Sequence, residues 1–143
     1  MGIIVEDLPE LHNSVTLDQS MVDTNGIPAP KITYQVSENS RKMLAHGLAR
    51  GREVMQAAGA KKIDTVDLLR PAGWHLLGTA RMGNDPDTSV VNSWGRSHDV
   101  KNLFVVDGSI FVTSGGVNPT STIQALALYI ADTMKNNLAN LFD

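Results

Sequence analysis

The segment spanning residues 103–130 limits the architecture of this chain more than any other, because it reads as strand, loop and helix in direct succession. Its first four residues are apolar, too few for a helix, and they end at Asp107 and Gly108, which favours a short buried strand. A Ser-Gly-Gly loop at 114–116 follows, where glycine allows backbone torsions closed to other residues.

A long helix is predicted after this loop. Asn118 and Pro119 stand in the order typical of an N-cap and a first helical residue. Apolar side chains then recur three or four positions apart and predict one buried face of a helix of about five turns, formed by Ile123, Leu126, Ala127, Ile130 and Met134. The unpaired N–H groups at its start can donate hydrogen bonds to an electron-rich group. A loop that only turns the chain into a docked helix explains the same pattern.

Composition excludes several classes of partner and site. The chain has 143 residues, of which 42% are hydrophobic, and this fits one globular domain with a real core. Its net charge of −3 provides neither a basic patch for nucleic acid nor a polybasic membrane anchor. It has no cysteine, which excludes disulfides and thiolate metal sites. His75 and His98 lack carboxylates at a recognisable ligand interval, so we predict no metal site.

The first third of the chain predicts short extended segments. An apolar run at 2–5 is the first, Val15-Thr16-Leu17 forms a second short strand expected to end at Asp18, and the alternation at 32–36 predicts a third with one buried face. The turn residues between the last two make an antiparallel pair the expected arrangement.

A helix is predicted next, from a cap at Ser37 to a stop at Gly59. Gly47 and Gly51 lie four positions apart on it, a spacing that permits close packing against another element.

The segment 75–83, HLLGTARMG, carries the histidine of greatest chemical interest. Because His75 stands in an apolar run, we expect it to be buried and neutral near pH 7, and a neutral imidazole can accept a proton. A core histidine hydrogen-bonded to the backbone is the alternative interpretation. The spacing of Gly78 and Gly83 matches a phosphate loop, but no Lys-Ser/Thr pair follows.

Four motifs in this order resemble the C-terminal region of the glucose-methanol-choline (GMC) oxidoreductases. They are HLLGTARMG at 75–83, SVV at 89–91, NLFVVDGS at 102–109, and NPTST at 118–122 with ALA at 125–127. The resemblance implies an α+β fragment of the GMC-type fold. Residues 1–100 would be the C-terminal part of the antiparallel-sheet substrate domain, with the active-site histidine segment. Residues 101–143 would be the last strand and helix of the FAD-binding domain.

The resemblance also implies a missing partner segment. Members of the family are longer flavoenzymes whose FAD-binding fold begins with a GxGxxG motif, and this chain contains none. It therefore resembles the last part of an enzyme, cut inside the substrate domain. We expect the chain by itself to bind FAD poorly and to be inactive, because the adenosine half of the site belongs to the N-terminal fold.

Catalytic roles follow from the same resemblance. His75 matches the family's active-site histidine, which takes the hydroxyl proton of an alcohol while the carbinol hydride goes to flavin N5. Asn118 matches the second active-site position, histidine in some members and asparagine in others, and can hydrogen-bond the substrate oxygen. The expected substrate is a small alcohol, polyol or sugar. The TARMG and NPT sequences resemble bacterial sugar and polyol dehydrogenases more than fungal oxidases, which implies an electron-acceptor partner.

The cofactor residues implied by the resemblance lie later in the chain. Asp107 and Gly108 match the segment whose backbone runs beside the flavin ribityl and pyrophosphate. Pro119 and Thr120, with Asn118, bring the helix N-terminus to the pyrimidine edge of the flavin, where it would stabilise the negative charge of the reduced ring.

Two other classes remain as alternatives. A non-catalytic α/β module could bind a nucleotide or another anion at the same helix start, and it predicts that His75 points elsewhere. The oxidoreductase hypothesis predicts that His75 and Asn118 converge. A serine hydrolase is the weakest alternative, because Ser109 lacks a Gly-x-Ser-x-Gly elbow.

Overall fold

The computed structural model describes residues 1–69, 73–115, 117–137 and 139. The contacts within the chain divide it into two compact units, Met1–Gly73 and Trp74–Asp143, and each is described by itself. In the described part, the first unit contains strands β1 (Ser14–Val22) and β2 (Pro28–Thr33) and helix α1 (Glu38–Ala57). The second contains a 3-10 helix (Gly108–Ile110) and helix α2 (Thr120–Asn136). The α+β prediction is confirmed. Neither α-helix is long and apolar enough to cross a membrane.

Strands β1 and β2 form the predicted antiparallel pair, with Val15 opposite Ile32. The second strand lies at residues 28–33 and not at the predicted 32–36, and residues 2–5 do not form a strand. The prediction that β1 ends at Asp18 is wrong, because the strand continues to Val22 beyond a register shift. The carboxylate of Asp18 accepts hydrogen bonds from both the backbone N–H and the hydroxyl of Ser20. Asp18 therefore stabilises an irregularity within the strand instead of terminating it.

One face of this hairpin is apolar and uncovered in the first unit. Val15 and Leu17 lie opposite Ile32 and Pro30 on that face, and they are 51% and 60% exposed, while Ile32 is 73% exposed. The prediction that the second strand buries one face is therefore wrong for this chain. An alternating pattern shows which face is apolar, but it does not supply the element that covers it.

Helix α1 has the predicted boundaries because both of its ends are capped. The hydroxyl of Ser37 accepts a hydrogen bond from the Ser40 backbone N–H at 3.0 Å. At the other end, Gly59 has a φ of +84°, a torsion that favours glycine, and its N–H donates to the carbonyl of Gln56.

The two glycines within α1 allow the N-terminal segment to lie against the helix. A Cβ at Gly47 would stand 2.6 Å from Cγ2 of Ile3, and one at Gly51 would stand 3.3 Å from Cδ1 of the same side chain. Their predicted packing role is therefore confirmed.

Asp7 joins three parts of the first unit. Its carboxylate accepts hydrogen bonds from the hydroxyl of Ser40, which is 1% exposed, and from the hydroxyl of Tyr34, which follows β2. Partial burial of the Tyr34 hydroxyl, its hydrogen bond to Asp7 and the charge of Asp7 raise the pKa of Tyr34 to about 12.

This raised pKa predicts a loss of stability at high pH. The unfolded tyrosine ionises near its ordinary pKa of about 10, whereas the folded one does not. The stabilisation that the raised pKa of Tyr34 gives to the folded state is therefore complete below a pH of about 10, and it is lost as the pH rises towards 12. We expect Tyr34→Phe to reduce the fall in urea-unfolding midpoint between pH 8 and 11.5, values that bracket the ordinary pKa of about 10. Tyr129→Phe, at the chain's other tyrosine, is the control. Identical pH profiles for the two variants would contradict this prediction.

Backbone hydrogen bonds between separate segments organise the second unit. The N–H groups of Gly78, Ala80 and Met82 donate to the carbonyls of Gly108, Ser109 and Ile110 at 3.2, 2.9 and 2.8 Å, respectively. On its other side the same segment pairs with residues 90–91, since Gly83 N–H donates to the carbonyl of Val91. Residues 78–83 therefore lie between two segments that follow them in the sequence.

The buried strand predicted at residues 103–106 is not formed. Pairing is limited to one antiparallel bridge between Arg96 and Phe104. Two hydrogen bonds flank it, from Val105 N–H to the Gly95 carbonyl and from Ser97 N–H to the Leu103 carbonyl. Leu103 and Val106, at the ends of the run, are 48% and 43% exposed. The apolar run was correctly identified as extended, but a strand also needs a partner along its length, and this one has a partner over a few residues only.

The core of the second unit forms where three segments meet. Val91, Ile110 and Ile130 are 0%, 0% and 1% exposed. Partly buried side chains pack around them: Met82, Val105, Phe111, Leu126 and Met134. Ile130, Leu126 and Met134 belong to the face predicted for α2, so the helix docks as its periodicity indicates.

The absence of a side chain at Gly95 allows the backbone there to lie close to Val105 and to the core residue Ile130. The φ of Gly95 is +77°, and a Cβ there would lie 2.5 Å from the Val105 carbonyl oxygen and 2.9 Å from Cδ1 of Ile130. We expect Gly95→Ala to lower the free energy of unfolding by about 2 kcal/mol or more, because the backbone strain and the clash add together. Urea unfolding measures this. Gly115→Ala is the control, since a Cβ there meets nothing within 4 Å. Equal stability of the two variants would contradict the assignment.

Candidate functional site

The predicted site residues all lie in the second unit, and Gly108 is the point at which their segments approach. Gly108 is buried, and a Cβ there would stand 2.6 Å from Cδ2 of Leu77 and 3.1 Å from Cδ1 of Ile123. Leu77 belongs to the segment that begins at His75, and Ile123 lies in the first turn of α2. The missing side chain of Gly108 therefore lets the histidine segment and the start of α2 come together.

His75 is exposed, so the prediction of a buried histidine is wrong for this chain. Its neighbours Trp74 and Leu76 are 75% and 80% exposed. In the described residues, the first backbone hydrogen bond of this segment is donated by Gly78 N–H. Trp74, His75 and Leu76 therefore lie before its hydrogen-bonded part. The imidazole is therefore accessible to a ligand.

Asp107 uses its side chain within its own turn. One carboxylate oxygen accepts the backbone N–H of Ser109 at 2.8 Å, which caps the 3-10 helix. Hydrogen bonds from the hydroxyl and the backbone N–H of Ser109 hold the pKa of Asp107 below its usual range. The carboxylate of Asp107 therefore stabilises its own turn, in which the N–H groups of Ile110 and Phe111 also donate to the carbonyls of Asp107 and Gly108.

Helix α2 begins one residue later than predicted. Pro119 is the N-cap, with φ −85° and ψ −3°, and its carbonyl accepts the first helical hydrogen bond, from Ile123 N–H at 2.9 Å. Asn118 is therefore not the N-cap, and no side chain caps the helix at this position. Pro119 itself has near-helical torsions, so the hydrogen-bonding pattern starts at its carbonyl. The amide of Asn118 and the N–H groups of the first turn are consequently not used in capping.

An open concavity of about 450 Å³ lies at this helix start. It combines apolar and polar groups, and its lining consists of Phe111, Thr113, Ser114, Gly115, Val117, Asn118, Pro119 and Thr122. Of the predicted residues, Asn118 and Pro119 line it, whereas His75, Asp107, Gly108 and Thr120 do not. Gly116, part of the predicted glycine loop, lies outside the described residues.

Sequence reasoning assigned no role to four residues that line this concavity, Phe111, Thr113, Val117 and Thr122. Thr122 belongs to the NPTST motif and could have been found by placing that motif on one helix turn. Phe111 gives no comparable signal, since an isolated aromatic residue reads equally well as part of the core.

Ser89 joins Asp85 and His98. The hydroxyl of Ser89 donates a hydrogen bond to the carbonyl of Asp85 at 2.5 Å. The same oxygen lies 2.9 Å from Nε2 of His98, a hydrogen bond whose direction is set by the tautomer of the imidazole. Within the part of the chain that the structure describes, no group of three metal-ligating side chains is close enough to hold an ion.

Comparisons with known proteins agree on one family. The family model described as GMC oxidoreductase matches residues 9–127. The 2-methyl-1,2-propanediol dehydrogenase of Mycolicibacterium austroafricanum is 45% identical over 139 residues, covering 96% of this chain and 25% of that protein. The fructose dehydrogenase large subunit of Gluconobacter japonicus is 39% identical over 133 residues, covering 93% and 24%.

Another relative is an oxidase, and a solved structure shares the fold. Paromamine 6'-oxidase of Streptomyces fradiae is 39% identical over 138 residues, covering 96% of this chain and 25% of that protein. Pyridoxine 4-oxidase from Mesorbium loti superposes with a TM-score of 0.61 at 22% identity, covering 87% of this chain and 27% of that one. The chain spans about a quarter of the length of these curated relatives. On the match over residues 9–127 and these identities, the chain belongs to the GMC oxidoreductase family.

Proposed function

We propose that this chain forms the C-terminal part of an FAD-dependent oxidoreductase that oxidises a CH–OH group of an alcohol, polyol or sugar. Family membership supports the proposal, as do the names of relatives that act on a propanediol and on fructose. The observation that carries it is the approach of the His75 segment and the uncapped start of α2 over Gly108. A proton acceptor and a positively polarised helix end are the two features that alcohol oxidation by a flavin needs on the protein side.

The described residues fit a flavin. The concavity at α2 offers apolar walls and the polar groups of Ser114, Asn118 and Thr122, beside helix N–H groups that no side chain caps. This is suitable for a flat aromatic ring with an electron-rich edge. In our assignment the backbone at Pro119 and Thr120 holds that edge, and the backbone at Asp107 and Gly108 runs beside the ribityl and pyrophosphate. When bound, FAD accepts the hydride from the carbinol carbon of the substrate.

We assign different roles on the substrate to His75 and Asn118. An imidazole nitrogen of His75 accepts the hydroxyl proton, which makes the loss of hydride from the adjacent carbon easier. The side-chain amide of Asn118 cannot act as a base, but its N–H donates a hydrogen bond to the substrate oxygen and holds the carbinol in line. The exposure of His75 leaves it accessible for this role.

We also propose the arrangement of the complete enzyme. Residues 1–100 belong to the substrate domain and residues 101–143 to the FAD-binding domain, with the adenosine site supplied by a segment N-terminal to this chain. The hydrogen bonds between residues 78–82 and 108–110 would then run between the two domains. A carrier other than oxygen reoxidises the flavin in our assignment, which the names of two dehydrogenase relatives support. Comparing flavin reoxidation by oxygen and by a quinone analogue tests this last point.

The His75 assignment is tested in the full-length, FAD-loaded enzyme. We expect His75→Ala to slow anaerobic flavin reduction by about 10²- to 10⁴-fold, the usual contribution of a positioned base, with FAD still bound. Stopped-flow absorbance with a panel of sugars and alcohols measures the rate. His46→Ala, at an exposed histidine on α1, is the control and should leave the rate unchanged.

An unchanged rate in His75→Ala would make this histidine structural and the mechanism wrong. If no alcohol or sugar reduces the flavin of the unmutated enzyme, the anion-binding module becomes the better interpretation, because the uncapped start of α2 supports it independently of His75.

Asn118 is tested by comparing two replacements. We expect Asn118→Ala to lower kcat/KM about 10- to 100-fold, because a hydrogen bond to a charged oxygen is worth about 1.5–3 kcal/mol. Asn118→His should retain more activity than Asn118→Ala, since an imidazole N–H can donate in its place. Steady-state kinetics measure both, with Asn136→Ala at the other end of α2 as control. Equal losses for alanine and histidine would remove Asn118 from the proposed role.

A further inference from the structure

Leu77 is the first partly buried residue of the histidine segment. The three residues before it, 74–76, are exposed, and Gly78 after it donates the first of the backbone hydrogen bonds to residues 108–110. His75 therefore lies two residues before the point at which its segment is first held. The position of the proposed base depends on what fixes the chain at that point.

The side chain of Leu77 meets helix α2 over Gly108. A Cβ at Gly108 would lie 2.6 Å from Cδ2 of Leu77 and 3.1 Å from Cδ1 of Ile123, so both methyl groups border the space that a side chain at residue 108 would fill. The carbonyl oxygen of Leu76 would lie 3.4 Å from the same Cβ. The backbone and the side chain of residues 76–77 therefore both pack on one buried glycine of the 3-10 helix.

Backbone hydrogen bonds do not replace this contact. The bond nearest to His75 runs from Gly78 N–H to the Gly108 carbonyl, and at 3.2 Å it is the longest of the three that join residues 78–82 to residues 108–110. The packing of Leu77 is the side-chain contact nearest to His75 in the described part of its segment.

Ile123 links this contact to the start of α2. It lies in the first turn of the helix, and its N–H donates to the carbonyl of Pro119 at 2.9 Å. Asn118, which we propose holds the substrate oxygen, directly precedes Pro119. The side chain of Leu77 therefore lies on a path of packed groups between the segment of His75 and Asn118.

We propose that Leu77 is a positioning residue that holds the imidazole of His75 at the correct distance from the substrate hydroxyl, an inference that rests on the proposed function. A proton acceptor must lie about 2.6–3.2 Å from the oxygen that it deprotonates, and a misplacement of about 1 Å can slow a reaction about 100-fold. A leucine packed on Gly108 limits such movement. With alanine in its place, the contact across Gly108 is lost and the residues before Gly78 gain freedom to move.

The test is a double-mutant cycle between Leu77 and His75 in the full-length, FAD-loaded enzyme. Anaerobic flavin reduction is measured by stopped flow at saturating substrate, with whichever of fructose, glucose and 1,2-propanediol reduces the unmutated enzyme fastest. We expect Leu77→Ala to slow reduction about 10- to 100-fold, while FAD stays bound and the substrate concentration for half-maximal rate changes little. In the His75→Ala enzyme the same substitution should have no further effect, because the group that Leu77 positions is absent.

Two variants separate positioning from a loss of packing. Met134→Ala removes a partly buried side chain that packs on the core near the other end of α2, so it should lower the free energy of unfolding but leave the rate of flavin reduction unchanged. Leu77→Met keeps a long apolar side chain over Gly108 and should retain most of the rate. If Leu77→Ala does not fold, Leu77→Val, which loses less volume, takes its place in the cycle.

Two results would overturn the inference while leaving the proposed function intact. The first is an unchanged rate of flavin reduction in Leu77→Ala. The second is a Leu77→Ala substitution that slows the His75→Ala enzyme by the same factor as the unmutated enzyme, because Leu77 would then serve the fold alone. If His75→Ala by itself reduces flavin at the full rate, or if none of the three compounds reduces the unmutated enzyme, the proposed function fails and the inference fails with it.

Discussion

Three backbone hydrogen bonds, from residues 78, 80 and 82 to the carbonyls of residues 108–110, hold the second unit together. In this 3-10 helix of three residues the carbonyl of Gly108 also accepts the N–H of Phe111, whereas the carbonyls of Ser109 and Ile110 take their N–H partners from residues 80 and 82. The segment after His75 supplies them. The candidate site depends on this pairing, because it fixes the histidine segment relative to the turn that leads into α2. Gly108 permits the pairing, since a Cβ at this position would lie 2.6 Å from Cδ2 of Leu77 and 3.1 Å from Cδ1 of Ile123.

The predictions from the sequence that succeeded rest on local signals. Helix α1 and the buried face of α2 are encoded locally, by the cap at Ser37, the positive φ at Gly59 and the periodicity that ends at Met134. These signals do not depend on distant residues, and the structure has the elements where they indicate. The hairpin is likewise encoded by its own turn and alternation, although Asp18 shows that a turn-forming residue can sit inside a strand when its side chain bonds to the next residues.

The failures at residues 103–106 and around His75 share one physical cause. Apolar runs at 103–106 and around His75 indicate that side chains would be stabilised by burial, but they do not identify the covering element. In this chain the first run has one partner bridge, at Phe104, and the second has no cover from the described part of its unit over Trp74 and Leu76. Burial and strand pairing are properties of neighbours in space. A local pattern cannot predict them when the neighbour comes from another part of the sequence.

The exposed apolar surfaces gain a consistent interpretation from the proposed chemistry. Hydride transfer to a flavin and proton transfer to a histidine both proceed better where water is excluded, because electrostatic interactions are stronger in a low dielectric. Trp74, Leu76 and Val117 would be unfavourably exposed in a unit with no ligand. In the proposed enzyme, a substrate held between His75 and Asn118 would have the same side chains near its reacting carbon, where they would exclude water. The chain spans about a quarter of the length of its relatives, so the remainder of the proposed enzyme would also cover part of this apolar surface. Apolar surface that does nothing for the stability of the isolated unit is therefore explained by elements that lie outside the unit, whether these are substrate, flavin or protein.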